Sequence, residues 1–170
     1  MNYTQINTAD VANGPGVRVS LFVSGCTIHC KGCFNPAAWD FGCGTLYTSE
    51  TEAKILAALS QPYIRGLSIL GGEPLDQDPS DLVSLVEKAK QLYPGKDIWI
   101  WTGREFDVIR NHPLTKLIDV AVCGEFKINE RDITAKNQFR GSRNQRVIDV
   151  QASLNSDRTT PLAGIPNNII

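Results

Sequence analysis

The chain has 170 residues, 42% of them hydrophobic and 21% charged, with a formal net charge of -1 at pH 7. This is the profile of one soluble domain with a core of its own. So small a charge excludes strong non-specific attraction to nucleic acid or an anionic membrane. No apolar run approaches the roughly 20 residues that cross a bilayer, and the Met1–Asn7 start lacks the basic and apolar regions of a secretory leader. A cytoplasmic location is expected, with neither membrane nor nucleic acid as partner. The five cysteines then read as metal ligands or catalysts rather than as a disulfide framework.

In chain order, Asn13-Gly-Pro-Gly-Val-Arg18 forms a turn that leads into Val17–Val23, whose alternation predicts a strand with a buried face. Cys26, Cys30 and Cys33 follow at once. Ser49 to Glu52 reads as a capping box, with Ile55, Leu56 and Leu59 as the helical stripe behind it. Leu67–Leu70 predicts a second strand, ended by Gly71-Gly72-Glu73-Pro74. Asp78 reads as an N-cap with Pro79 at the first helical position. Leu82, Leu85, Val86, Ala89 and Leu92 recur at helical spacing until Pro94-Gly95. Ile98–Trp101 predicts a third strand, then Thr102-Gly103 and a short helix from Arg104 to Asn111. Val120–Cys123, followed by Gly124-Glu125, and Val147–Val150 predict the fourth and fifth strands.

Strands alternating with helices imply parallel βα units with right-handed crossovers, and such sheets collect their functional groups at the C-terminal strand ends. The cysteine loop and the Gly-Gly turn both fall there. Five strands are too few to close an eight-stranded barrel. The expected fold is α/β, a partial, open barrel of about five to six parallel strands over residues 1–152, with an irregular tail over 153–170.

Cys26-x3-Cys30-x2-Cys33 suits a cubane iron–sulfur cluster that keeps one iron without a protein ligand. Structural zinc is the rival, and it wants four ligands. His29 is awkward as the fourth because it adjoins Cys30, whereas Cys43 offers a thiolate further on. Free thiols are the third reading.

The loop resembles that of radical S-adenosylmethionine enzymes, and Gly71-Gly72-Glu73-Pro74 resembles the turn with which that superfamily holds the methionine amino group. The resemblance implies a 4Fe–4S cluster on Cys26, Cys30 and Cys33, and S-adenosylmethionine as cosubstrate. It implies contacts to that cosubstrate from Gly32, Cys33, Phe34, Gly71, Gly72 and Glu73, with no catalytic residue beyond the cluster ligands. The superfamily often carries an aromatic residue just before the last cysteine. Here Gly32 stands there, so the backbone contact to adenine is retained and stacking must come from elsewhere.

Asn13–Arg18, Phe22–Cys26, Cys33-Phe34-Asn35, Trp39, Lys96–Gly103, Cys123–Phe126 and Phe139–Gln145 are similar to segments of one subgroup, the activating enzymes of anaerobic ribonucleoside-triphosphate reductase. The similarity runs from about Met1 to Val150. It implies a glycine of the reductase large subunit as the target and a flavodoxin-like electron donor. Two other readings stand beside it: a radical enzyme with a small-molecule substrate, such as a deazapurine synthase, and a non-catalytic metal-binding module.

The remaining features favour plainer roles. Lys136, Arg140, Arg143 and Arg146 form a basic cluster without the aromatic fingerprint of an RNA-binding module, so a solvated loop or a protein contact is expected. His112 precedes a proline and reads as a loop residue. Trp99 and Trp101 read as strand packing, and Cys43 and Cys123 as free thiols.

Overall fold

A computed structural model describes residues 1–131 and 139–165. One mixed sheet organises them. Its strands are β1 (Asn2–Asp10), β2 (Val17–Val23), β3 (Thr45–Leu46), β4 (Ile64–Gly71), β5 (Asp97–Thr102), β6 (Val120–Cys123), β7 (Arg146–Asp149) and β8 (Thr160–Pro161), in the order β3-β1-β2-β4-β5-β6-β7-β8. The order has two ends, so the sheet is open.

Four strands are parallel, β2 with β4, β4 with β5 and β5 with β6. This corrects the expected five to six. β7 runs antiparallel to β6, and the described part of the connection between them holds a 3-10 turn, Ile128–Glu130. β8 is antiparallel to β7 and includes part of the segment expected to be irregular. β1, absent from the sequence reading, is antiparallel to β2.

Helix α1 (Ser49–Leu59) is capped one residue earlier than the expected box. Thr48 is the N-cap and exchanges hydrogen bonds with Thr51: Thr48 Oγ1 accepts the Thr51 N–H at 3.4 Å, and Thr51 Oγ1 accepts the Thr48 N–H at 3.3 Å. Glu52 is drawn instead to helix α2 (Pro79–Leu92), where it accepts from Ser84 Oγ at 3.1 Å and pairs with Lys88. Asp78 caps α2 as expected, its Oδ1 accepting the Ser80 N–H at 2.9 Å. Leu82, Leu85, Val86 and Ala89 are buried, whereas Leu92 is exposed past the end of the stripe. The short helix expected over 104–111 is limited to α3 (Phe106–Ile109), and α4 (Val150–Leu154) takes over Val150 from the expected fifth strand.

Strand periodicity separates two faces. Val19, Leu21, Leu67, Ile69, Ile98, Ile100 and Ala121 join Ile55, Leu59, Leu85, Phe106 and Val150 of the helices in the main core. Each such side chain contributes about 1.5–3 kcal/mol when fully buried. On the other face Trp99, Val120, Val122 and Val147 form a smaller cluster, with Trp101, Phe139, Leu162 and Ile165 against it.

At the N-terminal end of β2, Arg18 is fully buried. Its Nε donates to Ser68 Oγ at 2.7 Å, Nη2 to the Leu67 and Asp97 carbonyls at 3.0 and 3.2 Å, and Nη1 pairs with Asp97 Oδ1 at 2.6 Å. The guanidinium also lies 5.4 Å from the Trp99 ring centroid. No described helix is long and apolar enough to cross a membrane.

Candidate metal centre

The cysteine loop is shaped by backbone constraints on both sides. Gly25 takes φ +94°, and a Cβ there would lie 2.2 Å from the Phe41 ring. Its N–H donates to the Ala38 carbonyl at 2.8 Å, and Cys26 N–H to that of Trp39 at 3.2 Å. His29 is left-handed at φ +53°, its ring stacked on Trp39 at 4.5 Å. Within the loop the Cys33 N–H closes onto the Cys30 carbonyl at 3.1 Å.

Cys26, Cys30 and Cys33 line one cavity of about 650 Å³ at the C-terminal ends of the parallel strands. Burial pushes the Cys26 thiol up, opposed by the N–H groups of His29 and Ile28; Glu73 and Asp76 add to the rise. Burial likewise raises Cys30, opposed by the Phe126 N–H, while Glu125 and the other two cysteines raise it further. Three thiols that share one cavity suit an iron–sulfur cluster, whose irons are held by thiolates. Among the described residues no three His, Cys, Asp or Glu side chains converge on a single metal ion. A cubane needs no such convergence, because each thiolate binds a different iron.

The Gly-Gly turn interlocks with this loop. A Cβ at Gly71 would meet the Val23 carbonyl oxygen at 2.6 Å, and one at Gly72 the Gly25 oxygen at 2.3 Å. Gly72 N–H donates to Val23 O and Glu73 N–H to Gly25 O, both at 2.7 Å. Glu73 is only 1% exposed yet lines the cavity. Its Oε1 accepts the Leu75 N–H at 3.1 Å and Oε2 the Gly103 N–H at 2.9 Å. Burial raises its pKa despite these donors.

Phe34 lines the cavity, 65% exposed, with Phe126 at 5.0 Å and the Arg131 guanidinium 4.8 Å from its centroid. Gly32 does not line it; the direction a Cβ would take there is filled by Ile128 at 3.0 Å. Trp101 combines packing with cavity lining, its Nε1 donating to the Phe139 carbonyl at 2.7 Å. Arg140 also lines the cavity and donates to the Gln145 carbonyl at 3.1 Å, whereas Lys136 lies outside the described residues. Cys43, Cys123 and His112 do not line it. His112 Nδ1 accepts the Leu114 N–H at 3.2 Å, a loop role.

The supporting roles of Asp76, Thr27, Arg104, Gln77 and Gln145 escaped the sequence reading. Asp76 Oδ2 accepts both the N–H and the hydroxyl of Thr27 at 2.7 Å, and Asp76 pairs with Arg104. Gln77 Nε2 donates to the Gly25 and Glu73 carbonyls at 3.2 and 3.0 Å. Gln145 fastens the loop before β7, its Oε1 accepting the N–H groups of Gly141 and Ser142 at 2.8 and 3.1 Å and its Nε2 donating to Gly124 O at 2.8 Å. Gln145 closes the Phe139–Gln145 segment that carries the resemblance, whereas Asp76, Gln77 and Arg104 left no trace beyond lying near a Gly-containing turn.

A family model described as a 4Fe-4S single cluster domain matches residues 12–148, a span that includes the three cysteines, Glu73 and Gln145. The fold and site thus define a 4Fe–4S single-cluster protein. A protein of Enterobacteria phage T4 is 41% identical over 148 residues, covering 86% of this chain and 93% of its own length. One of Vibrio cholerae is 43% identical over 150 residues (85% and 96%), and one of Escherichia coli K12 is 40% identical over 152 residues (86% and 97%). All three are named anaerobic ribonucleoside-triphosphate reductase-activating protein. The chain belongs to that family of activating proteins.

Proposed function

We propose that this protein activates the large subunit of anaerobic ribonucleoside-triphosphate reductase by installing a glycyl radical on it. When bound, a 4Fe–4S cluster supplies one electron to S-adenosylmethionine, splitting it into methionine and a 5′-deoxyadenosyl radical, which takes the α-hydrogen of the target glycine and leaves as 5′-deoxyadenosine. The observation that carries this reading is the sharing of one cavity by Cys26, Cys30, Cys33, Gly71, Gly72 and Glu73 in a chain of the activating-protein family.

In this reading the three cysteines hold three irons. Glu73 accepts from the cosubstrate's ammonium group, a charge-assisted bond, and the bare backbone of Gly71 and Gly72 allows its close approach. Cys33, which lines the cavity, offers backbone to the adenine, while Gly32 lies outside that lining and shapes the loop that carries Cys33. Phe34, Trp101, Phe126 and Phe139, all cavity-lining, supply the aromatic faces that Gly32 lacks, and they exclude water from the reacting atoms. Hydrogen-atom transfer needs no general base. We read the open sheet as the partial barrel of the radical S-adenosylmethionine type, carried by residues 1–152 with 153–170 appended. It would work in the cytoplasm with a flavodoxin-like electron donor.

The test is anaerobic reconstitution with iron and sulfide, reduction, and mixing with S-adenosylmethionine and the reductase large subunit. A glycyl doublet in electron paramagnetic resonance with matching 5′-deoxyadenosine is expected, and Cys30→Ala should abolish both. An intact, reduced cluster that gives no doublet overturns the assignment.

A further inference from the structure

We propose that Arg140 receives the carboxylate at the methionine end of S-adenosylmethionine, opposite Glu73, so that the two side chains together recognise an α-amino acid. This rests on the cosubstrate reading above. Apart from the three cysteines, two of the described residues that line the cavity carry a formal charge, Glu73 and Arg140, and the charges are opposite. An α-amino acid carries an ammonium and a carboxylate on one carbon. A cavity with one anion and one cation among apolar and neutral walls is complementary to that pair. Arg143 and Arg146, of the same basic cluster, do not line it.

Both charged residues are tied to the same end of β5. Glu73 Oε2 accepts the N–H of Gly103, just beyond the strand, at 2.9 Å. Trp101, two residues earlier, donates from Nε1 to the Phe139 carbonyl at 2.7 Å and so fixes the residue before Arg140. Two strand residues span about 7 Å, so the two anchors are close.

The loop that presents Arg140 is held on its other side as well. Phe139 takes a left-handed φ of +52°, uncommon for a bulky side chain. Beyond Arg140, the Gly141 and Ser142 N–H groups donate to Gln145 Oε1 at 2.8 and 3.1 Å, and Arg140 Nη1 donates to the Gln145 carbonyl at 3.1 Å. Gln145 Nε2 in turn donates to Gly124 O at 2.8 Å, after β6. The side chain thus stands on a loop fixed to two strand ends. A guanidinium is a planar fork of five N–H donors, a geometry that matches a carboxylate.

The experiment is calorimetric binding to the reconstituted, oxidised protein, in which the cluster has no electron to give. Two ligands are compared: S-adenosylmethionine and its decarboxylated analogue, which keeps the ammonium and the adenosine. Iron content is matched between samples. Arg140→Gln should weaken S-adenosylmethionine binding about 10- to 100-fold, the worth of hydrogen bonds to a charged group, and leave the affinity for the analogue unchanged. Arg140→Lys, which keeps the charge but not the fork, should recover part of the loss. The ratio of the two affinities decides, because a loosened fold weakens both ligands alike. An Arg140→Gln protein that binds S-adenosylmethionine as wild type does, or that loses both ligands equally, overturns the proposal. Absence of any recovery in Arg140→Lys, or failure of both variants to take up iron, counts against it too. If wild type itself binds neither ligand, the cosubstrate reading fails, and wild type alone reports that result.

Discussion

Glu73 Oε2 accepts the backbone N–H of Gly103 at 2.9 Å and thereby joins the turn after β4 to the turn after β5. Its other oxygen is engaged by Leu75, so Glu73→Gln turns an NH2 group toward a backbone donor. An unsatisfied buried group costs about 1–3 kcal/mol, a loss that urea unfolding should register. S-adenosylmethionine affinity, measured by calorimetry on the reconstituted protein, should fall at least about tenfold, as expected when a charge-assisted bond to an ammonium is removed.

Gly72→Ala places a methyl group 2.3 Å from the Gly25 oxygen and 3.0 Å from that of Ala38. Neither neighbour is a flexible side chain, so the turn and the cysteine loop must part. Overpacking of this kind costs about 1–3 kcal/mol. Iron content after reconstitution should drop with it, and wild-type iron and stability together would show that the interlock is unnecessary.

Cys43 does not line the cavity, so Cys43→Ser should keep wild-type iron and sulfide stoichiometry. Cys26→Ser, Cys30→Ser and Cys33→Ser should each lose the cubane absorption. Loss of the cluster in Cys43→Ser would revive the four-thiolate alternative.

Arg18 is fully buried, with Ser68, two carbonyls and Asp97 arranged around it. Arg18→Leu leaves Ser68 and two carbonyls without their donor, at about 1–3 kcal/mol for each unsatisfied buried group, while Asp97 keeps its pairing with Arg65 at 3.1 Å. The chevron or urea midpoint of the purified variant should show this destabilisation, with cavity residues otherwise unchanged.

Asp10 titrates below the ordinary carboxylate range. Burial pushes it up, but the Ser20 hydroxyl, Asn13 Nδ2 at 2.6 Å, the Ala12 N–H at 2.7 Å and the Asn13 N–H together favour its charged form more strongly. A carboxyl group whose folded pKa lies below its unfolded one stabilises the protein above the unfolded value, about 3.9 for Asp. That contribution is lost as pH falls through the folded value. Asp10→Asn should therefore melt below wild type at neutral pH, and the gap should narrow in acid. Reduced apoprotein is the sample to use, because acid dissolves iron–sulfur clusters. A gap independent of pH would contradict the linkage.

What the sequence made legible was local chemistry. Cysteine spacing, paired glycines and the Asp78-Pro79 cap each carry their meaning within a few residues, and the structure brings Cys26, Cys30, Cys33, Gly71, Gly72 and Glu73 to one cavity. What stayed hidden depends on partners distant in the chain. β1, reading Asn-Tyr-Thr-Gln-Ile-Asn-Thr-Ala-Asp, has no apolar alternation because its partly exposed surface is paired mainly with β2. The direction of β7, antiparallel to β6, is not written in its own four residues. Asp76, Arg104 and Gln145 are ordinary surface types until folding carries Arg104 to Asp76 and Gln145 to Gly124. Glu52 suited a capping box equally well until α2 presented Lys88 and Ser84.

The helices pack on the sheet face that carries Leu21, Ile69 and Ile100, while Phe22, Leu70 and Trp101 line the cavity. Neighbours in sequence thus answer to different demands. The sheet acts as a partition between residues that keep the protein folded and residues that line the cavity. Chamber walls can diverge to suit another reductase without disturbing the helices behind them. Exchange of specificity between members of the family should accordingly succeed by swapping alternate strand positions and rim loops, leaving the intervening residues untouched.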